Sequence, residues 1–200
     1  MKKREKEQGH ILITVFDKKG IAGFAKILDS LGYKIISTEG TGKHLIKNGI
    51  SYIPAQEISK NPEGLDGCIK TISFGIEAGI LFDRLSPIHV KEAKDLYIKQ
   101  IDMIVCNFPP LEKVIKNPNT DFNIRNVDVG GPLMVRAAAT NFKNVLVVVD
   151  PKDYSRVANA ILEDKVTLKF RQQLAIKAFT HTYSYDHDII KYLGKHNIFS

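Results

Sequence analysis

Four short segments of the chain carry residue types that can hold an anion. They are Asp17-Lys18-Lys19-Gly20, Ser37-Thr38-Glu39-Gly40-Thr41-Gly42-Lys43, Lys70-Thr71 (after Asp66-Gly67) and Asp128-Val129-Gly130-Gly131. Glycines let the backbone approach a ligand, hydroxyls donate to it, and a helix that starts there offers free N–H groups. Lys18 adds a positive charge at the end of an apolar run. The Thr38–Thr41 stretch is neither a Walker A loop nor a dinucleotide fingerprint, so a tight strand-to-helix turn accounts for it equally well. Asp128 can orient a ligand ring or cap the helix that follows. Lys70-Thr71 can flank a ligand or belong to a solvated loop.

These segments need elements to position them, and two periodicities alternate along the chain. His10 to Phe16 is a buried strand. Ile21, Phe24, Ala25, Leu28 and Leu31 then fall at helical spacing, and Gly32 suits the helix C-terminus. Tyr33–Ser37, Ser51–Ile53, Met103–Cys106 and Asn144–Val149 read as further strands, with a short helix from Gly42 to Lys47 and another between Pro132 and Asn141. Beyond Pro151 the pattern is helical: Asp153 can cap one helix, a second spans Thr167–Thr182 and a third Asp186–Lys195. Strands alternating with helices predict an α/β layered domain with a mainly parallel sheet. In such sheets ligands gather at the carboxyl ends of the strands, where the polar segments and Cys106-Asn107 fall.

Composition excludes several alternatives. The 200 residues, 44% hydrophobic and 26% charged, suit one globular core. No apolar run is long enough to span a bilayer, and residues 1–9 read as a charged disordered tail. Cys68 and Cys106, the only cysteines, show no metal spacing and fit a reducing, cytoplasmic setting. The formal charge of +7 comes from scattered lysines and arginines without a nucleic-acid motif, so a small anionic ligand accounts for it with fewer assumptions. The six histidines show no HxH or HExxH spacing and read as structural or exposed.

Taken in order, these stretches resemble one family, the IMP cyclohydrolase domain of bifunctional AICAR transformylase/IMP cyclohydrolase. The likeness rests on Asp17-Lys18-Lys19-Gly20, Ser37-Thr38-Glu39-Gly40-Thr41, Asp66-Gly67 with Lys70-Thr71, and Asp128-Val129-Gly130-Gly131-Pro132 with Arg136-Ala137-Ala138-Ala139. Val147 to Tyr154 and Gln173 to Thr182 extend it, so that it spans about residues 10–195. It implies a methylglyoxal-synthase-like three-layer α/β sandwich with extra C-terminal helices: a nucleotide-binding domain over 10–152 and a helical extension over 153–200. It also implies a homodimer, a purine-precursor ribonucleotide as substrate, and no metal or organic cofactor. The family closes the purine ring of formyl-AICAR to give IMP. The chain ends where the family's transformylase domain would begin, so the resemblance points to a separate AICAR transformylase as partner.

Carried over position by position, the likeness assigns phosphate binding to Lys18, Thr38, Gly40, Thr41 and Thr71, base binding to Asn107 and Gly130, and catalysis to Lys70 and Asp128. Four family positions differ: arginine, histidine, tyrosine and lysine are replaced by Cys68, Ser73, Pro109 and Thr140. Lys113 or Lys116 could stand in for the missing lysine. Losing a single transition-state donor commonly costs about a hundred- to a thousand-fold in rate. Two readings therefore lead, a cyclohydrolase with an altered catalytic set and a non-catalytic relative that binds purine nucleotides as a sensor or partner subunit; a third, a methylglyoxal-synthase-like lyase on the same scaffold, is opposed by the long C-terminal likeness.

Overall fold

A computed structural model describes residues 9–61, 69–115 and 124–195. The proposed tail, Asp66-Gly67, Cys68, Lys116 and His196 lie outside or largely outside those residues. Five strands form one all-parallel sheet: β1 (His10–Val15), β2 (Lys34–Ser37), β3 (Ile53–Pro54), β4 (Ile101–Asn107) and β5 (Leu146–Val148), in the order β3-β2-β1-β4-β5. Ile11, Leu12 and Ile13 are wholly buried. A continuous apolar run of this kind is what a parallel strand covered on both faces requires.

The helices are α1 (Ile21–Ser30), α2 (Glu39–Lys47), α3 (Ala55–Ser59), α4 (Phe74–Leu81), α5 (Pro87–Asp95), α6 (Leu111–Val114), α7 (Gly130–Thr140), α8 (Tyr154–Leu162) and α9 (Leu168–Lys195). From β1 the chain steps one way to β2 and β3, then returns past β1 to β4 and β5. Right-handed crossovers then place α1 and α2 on one face and α4 and α7 on the other. The packing agrees: α8 lies on α1, while α7 lies on α4, β4 and β5. This is the methylglyoxal-synthase-like α/β fold. The reversal of direction falls between β1 and β4, where their carboxyl ends leave a crevice.

Several local expectations change. The helix after β2 starts at Glu39 instead of Gly42, so Gly40 and Thr41 belong to its first turn and not to a loop. The two expected C-terminal helices are one 28-residue helix, α9, whose Leu174, Ala175, Ala178 and Tyr185 enter the main core. Asp186 starts nothing new, because the burial of Thr182, Tyr185 and Tyr192 keeps one helical face packed through that point. Asp153 precedes α8 without capping it; its carboxylate is taken by Lys177. The third strand lies at Ile53–Pro54, later than expected. No helix among the described residues is long and apolar enough to cross a membrane.

Candidate functional site

The crevice between β1 and β4 is built by one side chain. Asn107 ends β4, and its carboxamide oxygen accepts hydrogen bonds from the backbone N–H groups of Phe16 and Asp17, both at 2.8 Å. The Asn107 carbonyl also accepts from Phe16 N–H at 3.0 Å. Asp17 in turn accepts from Lys19 N–H, and Gly20, at φ +73°, supplies the left-handed turn into α1. Lys18 is thereby presented at the strand end, with Nζ donating to the Val15 carbonyl at 3.2 Å.

The same carbonyl receives a second donor. Thr41, in the first turn of α2, donates its hydroxyl to Val15 O at 3.2 Å and accepts from Val15 N–H at 3.0 Å. Thr38, the residue before α2, shares a 2.9 Å hydrogen bond with the hydroxyl of Thr14. Lys18, Thr38 and Thr41 therefore converge at one end of β1. Thr41 is 2% exposed and spends its hydroxyl on the backbone, which makes it an anchor for the helix N-terminus.

The segment around Lys70 spans from α2 to α7. Lys70 is exposed and lies close enough to Glu39 for its charge to act on that carboxylate. Thr71 is buried, its hydroxyl against Gly130: a Cβ there would come within 2.8 Å of it. Asp128 caps α7, accepting from Gly131 N–H at 3.0 Å, while its own N–H donates to the Tyr185 hydroxyl at 3.0 Å. A Cβ on Gly131 would fall 2.6 Å from the Asp128 carboxylate and 3.1 Å from the Phe108 ring, so glycine is required there by close approach. Ser73, where the family has histidine, caps α4 by accepting from Ile76 N–H at 3.2 Å.

Beside this rim, the ends of β1, β4 and β5 and one face of α9 enclose a cleft of about 770 Å³. Lys18 and Asn107 line it; Thr38, Gly40, Thr41, Lys70, Thr71, Asp128 and Gly130 do not. It also takes in Phe16, Phe108, Lys113, Asp150, Lys177 and His181. Phe108 packs against His181 (ring centroids 4.4 Å apart) and Tyr185 (4.7 Å). Burial lowers the pKa of His181, with Asp150 opposing the shift and Lys177 adding to it, and its Nε2 is buried without a partner. Lys177 bridges Asp150 at 2.7 Å and Asp153 at 2.6 Å. Burial alone would lower its pKa, but these two hydrogen bonds outweigh that and raise it. The Cys106 thiol, fully buried, is pushed far up by desolvation and then by the charge of Asp128.

Phe16, Phe108, Lys177 and His181 were not legible as site residues. One signal was available: Lys177, Thr180, His181 and Ser184 fall at i, i+3, i+4 and i+7, a single polar stripe on α9. Lys113 lines the cleft, away from Lys70 and Asp128. Thr140 ends α7, ten residues from Gly130 and roughly 15 Å along the helix axis. Within one chain, a lysine at that position would stand away from the Asp128 end of the helix. Among the described residues no group of three or more His, Cys, Asp or Glu side chains could hold a metal ion.

Residues 20–133 match the family described as MGS-like domain, and residues 138–199 match the family described as AICARFT/IMPCHase bienzyme. The chain is 44% identical over 185 residues to the bifunctional purine biosynthesis protein PurH of Acetivibrio thermocellus, covering 91% of this chain and 36% of that protein. It is 45% identical over 184 residues to PurH of Clostridium botulinum, covering 91% and 37%. It thus spans little more than a third of the length of these curated relatives. Among solved structures, that of ForH superposes with a TM-score of 0.85 at 30% identity, covering 94% of this chain and 97% of that one.

Proposed function

The chain belongs to the MGS-like domain family and is homologous to the N-terminal region of PurH, and on that premise we propose that it closes the ring of formyl-AICAR to give IMP. The observation that carries this reading is the meeting of Lys18 and Thr41 on the Val15 carbonyl. A lysine and the first turn of a helix, 23 positions apart in the chain, thereby face one point, and a phosphate there gains both the charge and the free N–H groups of α2. Thr38, Gly40 and Thr71 complete the phosphate cradle. Asn107 and Gly130 border the ring.

In the ring closure the carboxamide nitrogen attacks the formyl carbon and a C–N bond forms; the former formyl oxygen then leaves as water, its C–O bond replaced by a C=N bond, with one proton from the attacking nitrogen and one from the formamido N–H. Lys70 stabilises the oxygen as charge builds on it, and Asp128 moves a proton from the attacking nitrogen toward the departing oxygen. Because both reacting groups belong to one molecule, holding it in the reactive conformation supplies part of the acceleration. The reaction consumes a product of formyl transfer to an aminoimidazole carboxamide ribonucleotide, so a separate AICAR transformylase is the proposed partner. A cytoplasmic homodimer is the proposed state.

The second reading, a purine-nucleotide-binding relative without chemistry, draws on two observations: Asp128 is already engaged by Gly131 N–H at the start of α7, and Pro109 has no hydroxyl. The test mixes purified protein with formyl-AICAR and follows IMP by absorbance, with Lys70→Ala as control. Turnover lost in the variant supports the cyclohydrolase. Micromolar or tighter IMP binding by calorimetry without any turnover supports the binding protein and sinks the enzyme.

A further inference from the structure

Phe16 is an aromatic side chain placed where the core has already ended. The buried cluster of β1 stops at Val15, and Phe16 keeps 44% of its surface exposed. A single exposed phenylalanine is ordinary on a protein surface. Three features set this one apart. Its backbone is clamped, since its N–H is shared by the carboxamide oxygen and the carbonyl of Asn107. Its ring has a cation over it, Lys113 Nζ at 5.4 Å from the centroid, where the ring's negative face attracts the ammonium. Its remaining surface lines the cleft that also holds Lys18, Phe108 and His181.

We propose that Phe16 is the stacking platform for the base of the bound ribonucleotide and sets a preference for a planar heteroaromatic ring over the bare sugar phosphate. The proposal rests on the reading above that the β1 end holds a nucleotide phosphate. Lys18 belongs to both places, hydrogen-bonded beside Thr41 and lining the cleft. A phosphate held there lets the base lie where the cleft meets Asp128, since Phe108 lines the cleft and packs against Gly131 beside the Asp128 carboxylate. The occupant is an imidazole carboxamide or purine ring: flat, polar at its edges and apolar on its faces. A fixed aromatic ring loses little freedom on contact, so the stack forms without ordering a loop. Lys113 covers one face of the Phe16 ring, so the base stacks on the other, and the ammonium adds positive charge to the cleft.

Calorimetry with IMP and with ribose 5-phosphate on wild type, Phe16→Leu and Phe16→Tyr tests this directly. Leucine keeps the bulk and removes the aromatic face. IMP should bind Phe16→Leu about tenfold more weakly, the lower range of base–aromatic stacking, while ribose 5-phosphate changes by less than about twofold. Phe16→Tyr should restore IMP binding. Stacking also lowers the ultraviolet absorbance of the base, and that signal should vanish in Phe16→Leu and persist in Phe16→Tyr. Equal weakening of both ligands would assign Phe16 to the shape of the loop and overturn the proposal, as would unchanged IMP binding in Phe16→Leu. The two readings fail separately. Wild type that binds IMP with the absorbance change but never converts formyl-AICAR ends the cyclohydrolase reading alone. Normal turnover and KM in Phe16→Leu end the stacking proposal alone. A wild type that binds neither IMP nor ribose 5-phosphate ends both.

Discussion

The carboxamide oxygen of Asn107 lies 2.8 Å from the backbone nitrogen of Phe16, joining the end of β4 to the end of β1 across the point where the sheet reverses direction. The same oxygen takes Asp17 N–H, so one side chain holds the turn that presents Lys18. Asn107 is buried, and its backbone carbonyl shares the Phe16 N–H at 3.0 Å.

Replacing Asn107 by leucine, which has similar bulk, takes the carboxamide acceptor from Asp17 N–H and leaves Phe16 N–H with the Asn107 carbonyl alone. Urea unfolding should show a loss of about 1 kcal/mol, from the cost of leaving the Asp17 N–H unpaired. Phosphate-ligand affinity should fall with it, because the Lys18 turn loses its clamp. Full stability in Asn107→Leu would mean that the turn is held by other contacts.

Asp128 has a structural task that must be separated from its proposed chemistry. Asn at this position can still accept from Gly131 N–H, whereas Ala cannot. Asp128→Ala should lose about 1 kcal/mol of stability as a missing cap, and Asp128→Asn nearly none. If the carboxylate moves the proton, both variants should fall about a hundredfold or more in turnover. Turnover that survives in Asp128→Asn would leave the residue as a cap only.

Lys177 keeps two carboxylates apart, bonding Asp150 and Asp153. Lys177→Met should destabilise the protein by about 1–3 kcal/mol at neutral pH, discounted from a fully buried pair because the Lys177 side chain is 39% exposed. For Asp150, burial raises the pKa, but the hydrogen bonds from Lys177 and from Lys152 N–H outweigh it and hold it below its ordinary 3.8. A carboxyl depressed in the fold contributes stability above that value and loses it as pH falls through the folded pKa. The difference between wild type and Lys177→Met should therefore be full at neutral pH and shrink in acid. A difference independent of pH, measured by thermal melts, would place the effect in packing instead.

Glu77 gives the opposite sign. Both its oxygens are buried without a partner, and desolvation raises its pKa from 4.5 to about 7. A carboxyl raised in the fold stabilises most below its unfolded pKa and loses that contribution as pH rises through the folded one. Glu77→Gln should therefore melt a few degrees higher than wild type at about pH 8, for a gain of about 1–2 kcal/mol, and almost equally at about pH 4. A variant with no advantage at the higher pH would show that the carboxylate finds a partner once ionised.

The strands, the α/β class and the family were legible because they are written in local patterns. Apolar runs such as Ile11–Ile13 specify a strand buried on both faces, and the ordered motifs from Asp17 to Thr182 specify a common ancestry. The start of α2 was misjudged, because Glu39-Gly40-Thr41 carries turn residues that tertiary contacts draw into a helix: Thr41 must bond Val15 for its first turn to close. The polar stripe of α9 could have been read from its spacing but gained meaning only when the helix was placed beside the sheet. By itself the sequence located the five strands, α1, α7 and α8 and the polar residues at the strand ends, since those depend on near neighbours in the chain; it predicted no helix at α3 to α6. Only the tertiary structure decided that Lys18 and Thr41 share one carbonyl, that Asp128 caps a helix and that Thr140 lies at its far end. Such meetings depend on strand order and crossover direction, which bring residues together across distances that no local pattern spans.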